Sequence, residues 1–115
     1  MGASAELQRV IKITAAQDQD LAFAIDAGAW RYVGVRLWVE GIEGTGSISV
    51  KLQHAALNED SEYLDLISFT SVADTDSFPN VQFNSSDSFL RWLRWSVPSM
   101  TATSAKFGIV LTLKN

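Results

Sequence analysis

Cysteine is missing from all 115 residues, which excludes disulfide cross-links and thiolate chemistry alike. The absence fits a reducing compartment or a fold that needs no staple. Histidine is nearly missing too: His54 stands alone, whereas a zinc site needs several His or Cys ligands. No G-x-S-x-G turn is present to expose a serine nucleophile. Gly41, Gly44 and Gly46 neither precede a helical segment nor carry the lysine of a phosphate loop. No apolar run approaches the roughly 20 residues of a membrane-spanning helix, so none is expected to cross a bilayer. Positive charge is scarce as well. Nine Lys and Arg stand against thirteen Asp and Glu, a formal −4, without the clustered cations a nucleic-acid surface requires. The start, Met1-Gly2-Ala3-Ser4-Ala5-Glu6, has no basic or apolar leader, and Glu6 stands where myristoylation wants Ser or Thr. The expectation is a soluble protein made in the cytoplasm, with no membrane or nucleic-acid partner, no cofactor, no metal and no catalytic residue.

Hydrophobic residues at 47% and charged residues at 19% are the proportions of a folded globular chain, and the length suits one domain. Its dominant signal is two-residue alternation, because successive strand side chains point to opposite faces. Residues 32–40 send Val33, Val35, Leu37 and Val39 one way and Tyr32, Gly34, Arg36, Trp38 and Glu40 the other. Residues 47–53 repeat this with Ile48, Val50 and Leu52, and the glycine-rich stretch between the two segments predicts a hairpin. Residues 89–97 alternate Phe89, Arg91, Leu93, Trp95 and Val97 against Leu90, Trp92, Arg94 and Ser96, with Pro98 expected to end the strand. Residues 106–114 gather Phe107, Ile109, Leu111 and Leu113 on one side. Weaker strands are expected at 7–13, 21–25, 63–70 (where a bulge could shift the register) and 81–83, the last a short edge. About eight closely spaced strands predict an all-β antiparallel sandwich or jelly roll over residues 7–115, with 1–6 a flexible amino-terminal segment free to reach a neighbour.

Of the candidate chemistry, His54 follows Leu52 in alternation and reads as a structural residue at a strand end. The acidic stretch Asn58-Glu59-Asp60-Ser61-Glu62 with Asp65 lacks the spacing and central glycine of an EF-hand and reads as a solvated loop. The aromatics carry more. Four tryptophans are many for this length, and Trp92 and Trp95 fall on opposite faces of one strand. A single sandwich cannot bury both faces of such a strand against its own core. The surplus faces contact another subunit or stack on a sugar ring. The interface is preferred because polar partners for a sugar are not evident nearby, and Trp, Tyr and Arg are enriched at interfaces. The interface candidates are Trp38, Trp92, Leu90, Arg94 and Arg36.

Two stretches carry a resemblance. Ser49-Val50-Lys51-Leu52-Gln53-His54-Ala55, followed by the acidic turn and Tyr63-Leu64-Asp65-Leu66, is similar to a strand-turn-strand pattern of small β-sandwich structural proteins of tailed-phage virions. Phe89-Leu90-Arg91-Trp92-Leu93-Arg94-Trp95, with Ala105-Lys106-Phe107-Gly108-Ile109-Val110-Leu111, resembles the closing hairpin of that family. The same strand grammar occurs in discoidin-like carbohydrate-binding domains. This chain departs from the commoner form at His54-Ala55-Ala56, so no ligand site is carried over. The resemblance implies a non-catalytic virion component, made in the host cytoplasm and located in the virion, which decorates or cements a capsid. Its implied partners are further copies of itself, with a trimer favoured, and the major capsid protein or another virion protein. The alternative is a carbohydrate-binding module that stacks sugars on exposed Trp.

Overall fold

In the computed structural model, which describes residues 2–115, the alternating segments become ten antiparallel strands in two sheets. They are β1 (Gly2–Ile13), β2 (Gln17–Asp18), β3 (Ile25–Asp26), β4 (Tyr32–Glu43), β5 (Ser47–Ala55), β6 (Leu64–Ser68), β7 (Val72–Ala73), β8 (Asn80–Ser86), β9 (Trp92–Met100) and β10 (Ser104–Lys114). Sheet A has the order β1-β10-β4-β8. Sheet B has the order β2-β9-β5-β6, with β3 also on β9 and β7 also on β5.

β2 and β3 are two pieces of one edge path, interrupted by the 3-10 turn Leu21–Phe23. β6 and β7 are likewise two pieces of the path along the other edge of sheet B. With the pieces joined, the chain follows the eight paths expected from alternation, in the orders 1-8-3-6 and 2-7-4-5. That is a jelly roll. Every connection crosses from one sheet to the other except the one from the fourth path to the fifth, β5 to β6, which stays within sheet B.

The inward sets meet in one core. Val33, Val35, Leu37 and Val39 of β4 and Phe107, Ile109, Leu111 and Leu113 of β10 face Ile48, Val50 and Leu52 of β5 and Leu93, Trp95 and Val97 of β9. Each such side chain taken from water contributes about 1.5–3 kcal/mol before chain entropy is subtracted. The Trp95 ring meets the Phe107 ring edge-on, with centroids 5.1 Å apart. Its indole N–H donates to Gln8 Oε1 at 2.9 Å, so the buried polar atom is satisfied.

A glutamine bridges each open side of the sandwich. Gln19 Nε2 donates to the Leu7 carbonyl of β1 at 2.8 Å, and its Oε1 accepts from the Trp95 backbone N–H at 3.2 Å. On the opposite side, Gln82 of β8 bonds both backbone groups of Thr70, at 2.8 and 2.9 Å. These bonds tie the sheet edges together where no strand ladder can.

Five expectations are corrected by the topology. The stretch between 32–40 and 47–53 is no hairpin: β4 pairs β10 and β8, while β5 pairs β9, β6 and β7. Both strands turn their apolar sets inward whether they pair side by side or face each other across a core, so alternation cannot tell the two apart. The proposed closing hairpin fails for the same reason, since β9 lies in sheet B and β10 in sheet A. Residues 2–6 are not a free segment but the first part of β1, paired from Gly2↔Lys114 onward; Met1 lies outside the described residues. Small residues hid this strand, because Ala3 and Ala5 give a faint apolar signal. Leu21–Phe23 forms a 3-10 turn capped by Asp20, whose side chain accepts the Ala22 N–H, and only Ile25–Asp26 extends. Finally, β9 begins at Trp92 and runs through Pro98 to Met100. The register shifts between Ser49/Ser99 and Lys51/Ser96, so Pro98 falls at a bulge, where a missing N–H costs nothing. The expected bulge in 63–70 is present, between Leu52/Ile67 and Gln53/Asp65.

The crossing from β4 to β5 depends on two glycines in the positive-φ region, Gly44 (φ 74°) and Gly46 (φ 135°). It packs beside the crossing from β9 to β10, where Thr101 N–H donates to the Ser47 carbonyl at 2.9 Å and Thr103 N–H to the Glu43 carbonyl at 3.0 Å. A Cβ on Gly46 would stand 2.6 Å from the Thr101 carbonyl carbon. Gly46→Ala is therefore expected to lower the unfolding free energy by about 2 kcal/mol, read from the urea midpoint. An unchanged midpoint would contradict this account of the crossing.

Candidate functional site

The two outer faces of the sandwich differ in what covers them. On sheet B the outward residues are Lys51, Gln53, Trp92, Arg94 and Ser96, joined by Asp65 and Asp18 from the neighbouring strands. Arg94 is only 3% exposed. Its guanidinium donates to Asp60 Oδ1 at 2.7 Å and to Gln53 Oε1 at 2.9 Å, reaches Asp18 Oδ2 at 3.5 Å, and lies 4.1 Å from the centre of the Tyr63 ring. Tyr63 in turn donates its hydroxyl to Asn58 Oδ1 at 2.7 Å, and Asn58 donates to the Leu21 carbonyl at 3.0 Å. Asn58, Asp60 and Tyr63 therefore hold the loop between β5 and β6 against this face. The acidic stretch is the solvated loop expected, with the Asp60 side chain 77% exposed, and it also folds back to meet Arg94. Its carboxylates diverge: Asp60 goes to Arg94, while Asp65 takes Gln53 and Lys51, whose hydrogen bonds hold its carboxyl below the usual range.

Sheet A has no such cover. Its outward residues are Tyr32, Gly34, Arg36, Trp38 and Glu40 on β4, Val81, Phe83 and Ser85 on β8, and Lys106, Gly108, Val110, Thr112 and Lys114 on β10. Arg36 stands between Phe83 and Val110, and Trp38 between Val81 and Gly108. Phe83 is 76% exposed and Val81 45%. Trp38 lies flat on Gly108, where a Cβ would come within 2.4 Å of the indole, so glycine is what lets the ring lie down. Arg36 stacks over Trp38 at 4.9 Å, and Lys114 over Tyr32 at 5.5 Å. The result is a broad aromatic platform with a shallow depression of about 610 Å³ between Tyr32, Arg36, Phe83, Asn84 and Thr112.

The five interface candidates are thus divided. Arg36 and Trp38 come together on the open face of sheet A. Trp92 and Arg94 lie on the covered face of sheet B, where Arg91 stacks over Trp92 at 5.5 Å while holding Asp26 through two bonds of 3.0 and 2.7 Å. Leu90 stands apart, exposed in the segment before β9. Arg94 is held by its own chain and has no free surface to offer. Phe83 and Val81 were not among the candidates. In Asn80-Val81-Gln82-Phe83-Asn84 the alternation is inverted: Val81 and Phe83 face out, while Asn80 and Gln82 are half-buried on the other side, where Gln82 bridges to Thr70, and Asn84 lies exposed at the edge. The signal was the run of three side-chain amides, which a buried strand would not carry.

His54 is half-buried and accepts the Leu90 backbone N–H on Nδ1 at 3.0 Å, as a structural residue does. Among the described residues no group of three or more His, Cys, Asp or Glu gathers to hold a metal ion.

The fold and this face define a jelly-roll β-sandwich with one closed and one open outer surface. Its solved-structure likeness is to the SPBc2 prophage-derived protein YomS, with a TM-score of 0.51 and 19% identity over 96% of this chain and 93% of that one. The likeness is one of fold. The sequence matches no known family and none of the curated proteins.

Two outcomes follow from these contacts. Arg94→Met should lower the unfolding free energy by about 2 kcal/mol, since it strips the cation from two carboxylates and a ring, while Arg36→Met should change it by less than about 0.5 kcal/mol. Equal effects in chemical denaturation would contradict the division of the two faces. For His54, burial pushes the imidazole below its ordinary value of 6.5, so the unfolded chain binds that proton more readily. The contribution to stability is present above pH 6.5 and is lost as pH falls through the lower folded value. His54→Asn should flatten this part of the stability profile; identical slopes in the two proteins would contradict it.

Proposed function

We propose that this chain is a non-catalytic structural subunit of a phage virion, a capsid decoration or cementing protein that works through symmetric contacts between copies. The observation that carries the reading is the platform of Trp38, Val81 and Phe83, which the chain leaves open while covering the opposite face. Small contacts repeated by symmetry turn weak single interfaces into firm attachment by raising effective concentration. The jelly roll is a recurring fold of capsid proteins. The prophage origin of YomS agrees with the phage setting. The partners are further copies of the chain and a capsid or other virion protein.

Jelly rolls also build lectins, so the fold by itself does not choose. One observation favours a carbohydrate-binding reading: Asn84, Ser85 and Thr112 stand beside Tyr32 and Phe83 in the depression, supplying hydrogen-bonding groups next to flat rings. An antibody against the chain separates the two. Applied to particles released from induced cells of the encoding strain, it should label intact virions at many sites per particle. Unlabelled particles, together with glycan-array binding that Phe83→Ser abolishes, would overturn the structural reading in favour of the lectin one.

A further inference from the structure

The outward row of β4 reads Arg36, Trp38, Glu40. Among the described residues neither Arg36 nor Glu40 has an ion-pair partner. We infer that two copies stack sheet A on sheet A about a two-fold axis that lies between the faces, crosses β4 at right angles and passes Trp38. This rests on the homo-oligomer reading above and specifies its geometry.

At a rise of about 3.4 Å per residue, Arg36 and Glu40 stand about 14 Å apart with Trp38 midway. Rotation about the inferred axis places Arg36 over the partner's Glu40, Glu40 over the partner's Arg36, and the two Trp38 rings over each other. An axis parallel to β4 would instead set Arg36 over Arg36 and Glu40 over Glu40, which repel. A three-fold ring, the form favoured from the sequence, would bring this face against a different surface and lose the reciprocity.

Shape gives the same register from different residues. Phe83 lies beside Arg36 on β8, so the rotation that carries Arg36 to Glu40 carries Phe83 two positions past Val81, to Pro79 of the other copy. A depression of about 270 Å³ stands there, lined by Arg36, Trp38, Glu40, Pro79 and Val81. The most exposed large apolar side chain among the described residues therefore meets a hollow of the partner, twice, by symmetry. Val81 comes over its own copy. Burial of Phe83, Val81 and Trp38 supplies the affinity, and the two charge pairs select the register.

Sedimentation of the full chain should show a species of twice the 12.6 kDa chain mass. Arg36→Glu and Glu40→Arg, both at exposed sites, should fold normally by circular dichroism, yet each should weaken association by at least about tenfold. An equimolar mixture of the two variants should recover the dimer, because opposite signs then face each other at both positions. The cysteine-free chain permits a second readout: Val81→Cys with a short bis-maleimide should link into dimers and stop there, whereas Lys51→Cys on sheet B should not. Charge variants that assemble like the wild type, a mixture that stays monomeric, a trimer mass, or no link at Val81→Cys would overturn the two-fold register while leaving the oligomer reading in place. A wild-type chain that sediments at 12.6 kDa at every concentration would overturn both.

Discussion

The Arg94 guanidinium, buried against the Tyr63 ring and flanked by Asp60 and Asp18, decides which side of this sandwich stays open. A cation removed from water is costly unless paired, and the pairing here recruits a loop. Asp60 and Tyr63 both lie on the connection from β5 to β6, so satisfying Arg94 draws that connection down over sheet B. Asn58 then fixes the loop to Leu21 on the far edge. Sheet B is closed by one buried charge and the segment it holds.

The topology explains why sheet A receives no equivalent cover. In this jelly roll only one connection begins and ends in the same sheet, and that sheet is B. β1, β4 and β8 each hand the chain to the other layer, so no connection joins two strands of sheet A across its outer face. The open platform is thus a consequence of path order as much as of composition. Gly108 deepens it by letting Trp38 lie flat, and Phe83 stands out from an edge strand whose inward side is given over to amides.

Much of this was legible in the residues. The inward sets of β4, β5, β9 and β10 follow directly from alternation, as do the eight paths, the all-β class and the choice of Trp95 over Trp92 or the reverse as a core residue of one strand. The pairing of strands was not legible, because a residue that points inward does so whether its neighbour in sequence lies beside it or across the core. The site was half legible. Arg36 and Trp38 declared themselves by facing away from an aliphatic set, but Arg94 obeys the same rule and is buried, since its cover comes from a loop that periodicity cannot place. Phe83 was hidden by an inverted pattern whose explanation, the Gln82 bridge to Thr70, spans two sheets.

The central claim is that the chain itself closes one outer face and that, as proposed, a second molecule covers the other. The four indole N–H resonances of Trp30, Trp38, Trp92 and Trp95 report on it directly, because they sample the core and both outer faces. In a dilution series followed by two-dimensional nuclear magnetic resonance, the account predicts that the Trp38 signal moves with concentration while those of Trp92 and Trp95 stay fixed. A Trp92 signal that moves while Trp38 remains still would contradict it.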